Sequence, residues 1–175
     1  MPFNLLKSYP ELLEIVHLPA PQRIESLRGV FNRDFVNQVN LRFNGKLVKP
    51  IIKEGQIPMD TLFHHLTTKD NKDEKGRKLD GRSFEMARSQ RLHWVKFHLD
   101  EQKADNVEVF SYEDRIDGKD VIRTYVYDVE QEYVIILEPY RNGVDYYLLT
   151  AYHLNEPGGK KQIQKKLKKK LQEIH

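Results

Sequence analysis

The stretch that most constrains this chain is Val144–Leu154, VDYYLLTAYHL. It is filled with apolar, aromatic and β-branched residues and contains neither Gly nor Pro, a composition that suits a buried strand. Thr150 and Tyr152 stand two apart, so they project from one face of that strand. A Gly-Gly pair and a lysine-rich segment follow at once. The strand is therefore expected to be the spine of a sheet, with its Thr150/Tyr152 face lining a site.

Three more strand patterns precede it, at Val107–Tyr112, Val121–Tyr127 and Tyr133–Glu138. Asp117-Gly118 and Asn142-Gly143 supply turns between neighbours, so an antiparallel meander is the economical topology. Upstream, Arg82–Gln102 predicts a long helix with Phe84, Ala87, Leu92, Val95 and Leu99 on its apolar side, flanked by Arg88 and Arg91. The tail Lys160–Ile174 sets Ile163, Leu167 and Leu171 four apart among lysines, an amphipathic helix. The fold class expected is α+β: helices, then a four-stranded antiparallel meander with one face covered by helix, then a basic amphipathic helix.

The N-terminal part reads differently. Ser8-Tyr9-Pro10-Glu11 has the form of a helix start with a capping box, and a second helix is expected from about Gln22 to Val36. Asn44-Gly45 between Leu41-Arg42-Phe43 and Lys46-Leu47-Val48 signals a hairpin. Met59–Leu66 is expected to form a short helix with Asp60 at its start and Leu62, Phe63 and Leu66 inward. Thr67–Gly81 is almost wholly charged and polar, which predicts an exposed mobile loop. The division is thus 1–58, a helical segment with a hairpin packed on or capping the rest, and 59–175, the main domain.

A chain of 175 residues with 39% hydrophobic and 31% charged content suits one globular domain. No apolar run is long enough to span a membrane. The opening MPFNLLKSYPELLE has no basic region followed by an apolar core, so no secretory signal is expected. The absence of cysteine removes disulfides, thiolate zinc sites and cysteine nucleophiles, and fits a reducing cytoplasm. The net charge is +3, yet the segment from Glu156 onward carries seven lysines against two glutamates. Basicity belongs to the tail, and Lys160, Lys161, Lys165 and Lys168 are candidates for nucleic-acid contact, against the plainer reading of a solvated helix face.

No P-loop, dinucleotide fingerprint, G-x-S-x-G or helical zinc pair occurs, so neither metal nor cofactor is expected. Metal-dependent nucleases that place a lysine beside strand carboxylates are disfavoured, because the four strand interiors lack lysine. What remains is metal-free acid/base chemistry. RNA cleavage through the 2′-hydroxyl requires a base, an acid and cations around the phosphorus. His64 and His65 are the acid/base candidates outside the sheet, one of them expected on the helix surface. Arg88 and Arg91 can clamp phosphate or form structural salt bridges to carboxylates such as Glu85. Thr150 and Tyr152 can orient phosphate or serve simply as strand formers. His153 should face away from that pair.

The block Arg88-Ser-Gln-Arg91-Leu-His-Trp94, the strand Tyr133–Leu137 and the run Tyr146-Tyr-Leu-Leu-Thr150-Ala-Tyr152 together resemble the Barnase–EndoU–Colicin–RelE superfamily. The similarity is to its phage- and prophage-associated nuclease-like branch, where R-x-x-R-(I/L)-x-W on a helix precedes a meander ending in L-x-T-A-Y. It covers roughly residues 63–170. The resemblance implies a metal-independent endoribonuclease of toxin or phage-effector type, with RNA as substrate and an antitoxin or immunity protein as partner. By it Arg88 and Arg91 match the helix motif, Thr150 and Tyr152 the strand motif, and His65 the F-x-H-L context. Members with inactive sites leave an alternative: a non-catalytic RNA-binding or protein-interaction domain on the same fold, with the lysine-rich tail as the contact.

Overall fold

The computed structural model describes residues 3–101 and 105–175, which form an α+β fold. Among the described residues eight strands build two sheets. The strands β1 (Arg42–Phe43), β2 (Lys46–Pro50), β5 (Val107–Ile116), β6 (Lys119–Asp128), β7 (Tyr133–Pro139) and β8 (Asp145–His153) make a six-stranded sheet in the order β1-β2-β8-β7-β6-β5. The remaining pair, β3 (Thr68–Lys72) and β4 (Lys78–Phe84), forms a separate ribbon.

β5 to β8 pair antiparallel in chain order. The sheet is nevertheless not a four-stranded meander. β2 runs parallel to β8, with Leu47 opposite Asp145 and Pro50 opposite Leu148, which makes the sheet mixed and β8 internal. This is possible because β8 is apolar on both faces and needs a partner on its second edge. The β1–β2 and β5–β6 turns carry Asn44-Gly45 and Asp117-Gly118, all four with positive φ, the two-residue geometry whose twist matches the strands.

Both faces of the sheet are covered, not one. On the first face, α1 (Ala20–Phe31), α2 (Pro58–Thr67) and α4 (Trp94–Leu99) bury Leu27, Phe31, Phe63, Leu66, Trp94 and Leu99 against Val126, Ile135, Leu137, Tyr146 and Leu148. On the second, α5 (Gly159–Lys168) sets Ile163 and Leu167 over Phe110, Tyr125, Tyr127 and Val134. Residues before 58 contribute two strands of the sheet and Leu13, Ile15, Val30, Phe35 and Phe43 to the first core.

Several elements differ from their sequence patterns, each for a tertiary reason. Ser8–Val16 is a strap, not a helix. The Ser8 N–H does donate to the Glu11 carboxylate (3.2 Å). The segment is held instead by Leu13 N–H to Gln90 O (2.9 Å), Trp94 Nε1 to Glu11 O (3.0 Å) and the Tyr9 ring stacked on Phe97. The second helix ends at Phe31 and continues as a π-turn over Asn32–Val36.

Thr67–Gly81 is no loop; most of it is the β3–β4 ribbon, whose charges pair across the strands, Arg82 with Asp70 (2.5 Å) and Lys78 with Asp70 (3.3 Å). The long helix at 82–102 is broken. Residues 82–84 belong to β4, Met86–Ser89 form α3, and tightened i→i+3 turns lead into α4; Gln102 lies outside the described residues. The tail helix stops at Lys168, because the chain turns along β5. There Leu171 N–H donates to Ser111 O (2.8 Å), and the His175 carbonyl accepts from Thr124 and Tyr146. Among the described residues no helix is long and apolar enough to cross a membrane.

Candidate functional site

The site is built on an irregularity in β8. Opposite β7, Ile136 pairs with Thr150 and Leu137 with Leu148, so Leu149 is an extra residue. Tyr146, Leu148 and Ala151 belong to the first core, whereas Leu149 and Tyr152 pack on the second. Spacing of two keeps Thr150 on the face of Tyr152, and the bulge puts that pair on the opposite face from Leu148. Leu149 O, released from the ladder there, meets His65 Nδ1 at 3.3 Å.

That contact defines the chemistry of His65. A carbonyl only accepts, so Nδ1 carries the proton and Nε2 keeps its lone pair. Burial, and then the positive charge of Arg82, push the imidazole pKa below the ordinary histidine value, with the Leu149 contact acting weakly the other way. At neutral pH His65 is thus a neutral base.

Arg88 enters from α3 and reaches the same place. Its Nη1 donates to His65 O (2.9 Å), Thr68 O (2.6 Å) and Thr150 Oγ1 (3.1 Å), and its guanidinium lies 5.3 Å from the Tyr152 ring centroid. Thr150 Oγ1 in turn donates to His65 O (3.3 Å). Part of this is structural: His65 O belongs to the last turn of α2, where a cation satisfies orphan carbonyls and the helix dipole. Yet among the described residues no carboxylate lies within ion-pair distance of Arg88, and its Nε is buried without a partner. Burial and then the neighbouring Arg82 lower its pKa, with Tyr133, Tyr152 and Glu85 acting the other way.

His65, Arg88, Thr150 and Tyr152 line one cavity of about 510 Å³, together with Arg82 from β4, Arg123 from β6, and Lys53 and Lys78. Arg123 Nε is also buried without a hydrogen bond, in a long ion pair with Glu138 at 3.9 Å. Asp70 and Asp117 are the acids in the lining, and Asp70 is already shared by Arg82 and Lys78. The balance is cationic. Burial raises the Tyr152 hydroxyl pKa despite the opposing charge of Arg88, so this phenol keeps its proton near neutrality.

Arg91 does not join them. Its Nη1 turns back to Ala87 O (2.7 Å), and its guanidinium lies over Trp94, 5.1 Å from the ring centroid. Arg91 is no part of this cavity: spacing of three brings the two Cα positions together, but the long side chains diverge around Tyr133. His153 packs away from the cavity, with Nδ1 donating to Glu132 O (3.1 Å). His64 is exposed.

The tail lysines lie apart from this cleft. Lys160 pairs with Glu132 (2.7 Å), and Lys166, not singled out by the sequence, pairs with Asp114 (2.5 Å). Lys161, Lys165 and Lys168 are exposed and form no ion pair among the described residues. Sequence reasoning missed Arg82, Arg123, Lys53 and Lys78. A signal existed for Arg123, a charge inside the otherwise apolar run Val-Ile-Arg-Thr-Tyr-Val-Tyr. Among the described residues no group of three His, Cys, Asp or Glu side chains could hold a metal ion. Comparison with protein-family models, with curated proteins and with solved structures finds no match for this chain.

Proposed function

We propose that the chain is a metal-independent endoribonuclease that cleaves RNA by attack of the 2′-hydroxyl on the adjacent phosphate. The reading rests chiefly on one observation: Arg88, without a carboxylate partner, stands beside a neutral histidine whose Nε2 retains its lone pair. In this scheme His65 Nε2 removes the 2′-hydroxyl proton as O2′ bonds to phosphorus. Arg88, Arg82 and Arg123 stabilise the charge on the equatorial oxygens. The Tyr152 hydroxyl protonates the departing 5′-oxygen, and Thr150 holds Arg88. The bond from phosphorus to the 5′-oxygen breaks, leaving a 2′,3′-cyclic phosphate and a 5′-hydroxyl end. This agrees with the resemblance to toxin-type RNases and with action in the cytoplasm. An antitoxin or immunity protein would then block the cleft with carboxylates.

The test is incubation of the protein with total and transfer RNA in EDTA beside His65→Ala and Tyr152→Phe. Discrete fragments with cyclic phosphate ends, lost in His65→Ala and slowed in Tyr152→Phe while both stay folded, support the scheme.

A second reading has its own support. Arg88 Nη1 is fully engaged by two carbonyls and a hydroxyl, and Lys161, Lys165, Lys168, Lys169 and Lys170 of the tail are exposed without ion pairs among the described residues. It makes the chain a non-catalytic RNA-binding domain that uses α5. RNA retained at low salt, released steeply by added salt and never cut, selects it.

A further inference from the structure

The cleft does not end at His65. A second cavity, of about 970 Å³, opens beside it, and the two share Lys53, His65, Asp70, Lys78 and Arg82 in their walls. They form one groove. From Thr150 it passes over His65 and then between the exposed face of α2 and the first residues of β4, reaching Arg28 on α1. Each cavity alone is of a size that takes a small ligand, so the groove exceeds what one nucleotide fills.

We propose that this groove is an extended subsite for single-stranded RNA, and that Arg28 and His64 contact the strand beyond the nucleotides at His65. The proposal rests on the ribonuclease reading for its ligand. Charge supports it: Arg28, Lys53, Lys78 and Arg82 line the outer cavity against Asp60, Asp70 and Asp80, a balance of +1. Arg28 is paired to Asp60, Arg82 and Lys78 are paired to Asp70, and Lys53 is in no ion pair among the described residues. Asp80 is the remaining acid in the lining. The Arg28 guanidinium lies over the Phe63 ring, 3.9 Å from its centroid, and 3.0 Å from the exposed Asp60 carboxylate, an arrangement a phosphate can enter by displacing that weak surface pair. His64, exposed on the same wall, offers a ring for stacking or a donor for a base edge. Geometry restricts the ligand to an unpaired strand. Arg88 is half-buried beneath the cleft, and a phosphate in a rigid duplex cannot be pressed down to it, whereas a single strand can splay its bases along the walls.

The test uses the intact chain with fluorescein-labelled 2′-O-methyl oligoribonucleotides (uncleavable dinucleotide, tetranucleotide and octanucleotide) and their RNA counterparts for cleavage. Affinity is expected to rise at least about tenfold from dinucleotide to octanucleotide, the effect of one or more added charge-assisted contacts. Arg28→Gln and His64→Ala are each expected to cut that ratio about threefold or more. An affinity flat with length overturns the groove and leaves the cleavage reading standing if RNA is still cut. A length gain untouched by both substitutions, or a blunt duplex bound as tightly as the single strand, also overturns it. Length-dependent binding sensitive to Arg28→Gln, with no cleavage of the RNA series, supports the groove and removes the enzymatic reading. No binding at any length overturns both.

Discussion

The two faces of the sheet carry two polar clusters, one buried and one half-buried, that differ in charge balance. On the first face the fully buried Asp128 accepts from Tyr9 OH (2.6 Å) and Gln131 N–H (3.0 Å), with His98 Nε2 3.2 Å away. Burial raises its carboxyl pKa, but His98, Tyr9 and the Gln131 amide more than offset that, and the net shift is downward. On the second face Arg88 is flanked by Arg82 and Arg123, with carbonyls and a hydroxyl in place of a counter-ion. A charge met by its own partners holds structure, here by pinning the N-terminal strap to β6. A charge left short of partners in an accessible cleft is poised for a ligand of opposite sign.

If that contrast is right, substitutions on the two faces separate function from stability. The largest effect is expected from His65→Ala, which lowers RNA cleavage by about 10²–10⁴-fold, the usual range for a general base, with unchanged circular dichroism. Next, Asp128→Ala leaves Tyr9 and the Gln131 amide without their acceptor, removes the carboxylate beside His98, and costs about 3–5 kcal/mol in urea unfolding. Cleavage by the folded fraction persists. Tyr9→Phe, which removes one hydrogen bond to a charged group, costs about 1.5–3 kcal/mol. An equal loss of activity per folded molecule in the Asp128 and His65 variants would erase the distinction between the faces.

Acidity sharpens the contrast further. Because the Asp128 pKa is lowered on folding, its contribution to stability is complete above the ordinary aspartate pKa and is lost as pH falls through the depressed value. His65 is lowered too, so cleavage should rise with pH along a limb centred below the ordinary histidine value of about 6.5. Stability and rate profiles measured on one preparation should not coincide. The smallest effect concerns the tail. Joint replacement of Lys161, Lys165 and Lys168 by alanine is expected to reduce the salt dependence of RNA binding, with a smaller loss of affinity than Arg82→Ala, read by fluorescence anisotropy across a salt series.

The same contrast explains what could be read from the residues alone. β5 to β8 were legible because half-buried and buried strands impose period-2 apolar patterns, and Asn-Gly and Asp-Gly mark their turns. The β3–β4 ribbon was not, because charged and polar residues fill even its half-buried positions, with no apolar alternation; Arg82, Lys78 and Asp70 look like loop charges until the ladder pairs them. The strap at Ser8–Val16 carries a helix-start motif, yet hydrogen bonds to Gln90 and Trp94, remote in sequence, decide its shape. At the site, Thr150 and Tyr152 were paired by strand spacing. The bulge at Leu149 that orients Thr150 and frees a carbonyl for His65 leaves no mark in composition. Arg91 was misplaced because helical spacing locates a Cα, not the end of a flexible side chain.

The most direct measurement is cleavage of a labelled single-stranded oligoribonucleotide in EDTA by the purified chain and by His65→Ala. A 2′,3′-cyclic phosphate product is expected from the first and almost none from the second, with both proteins equally folded. Cleavage that proceeds undiminished in His65→Ala, or no cleavage by the unaltered chain, would contradict this expectation.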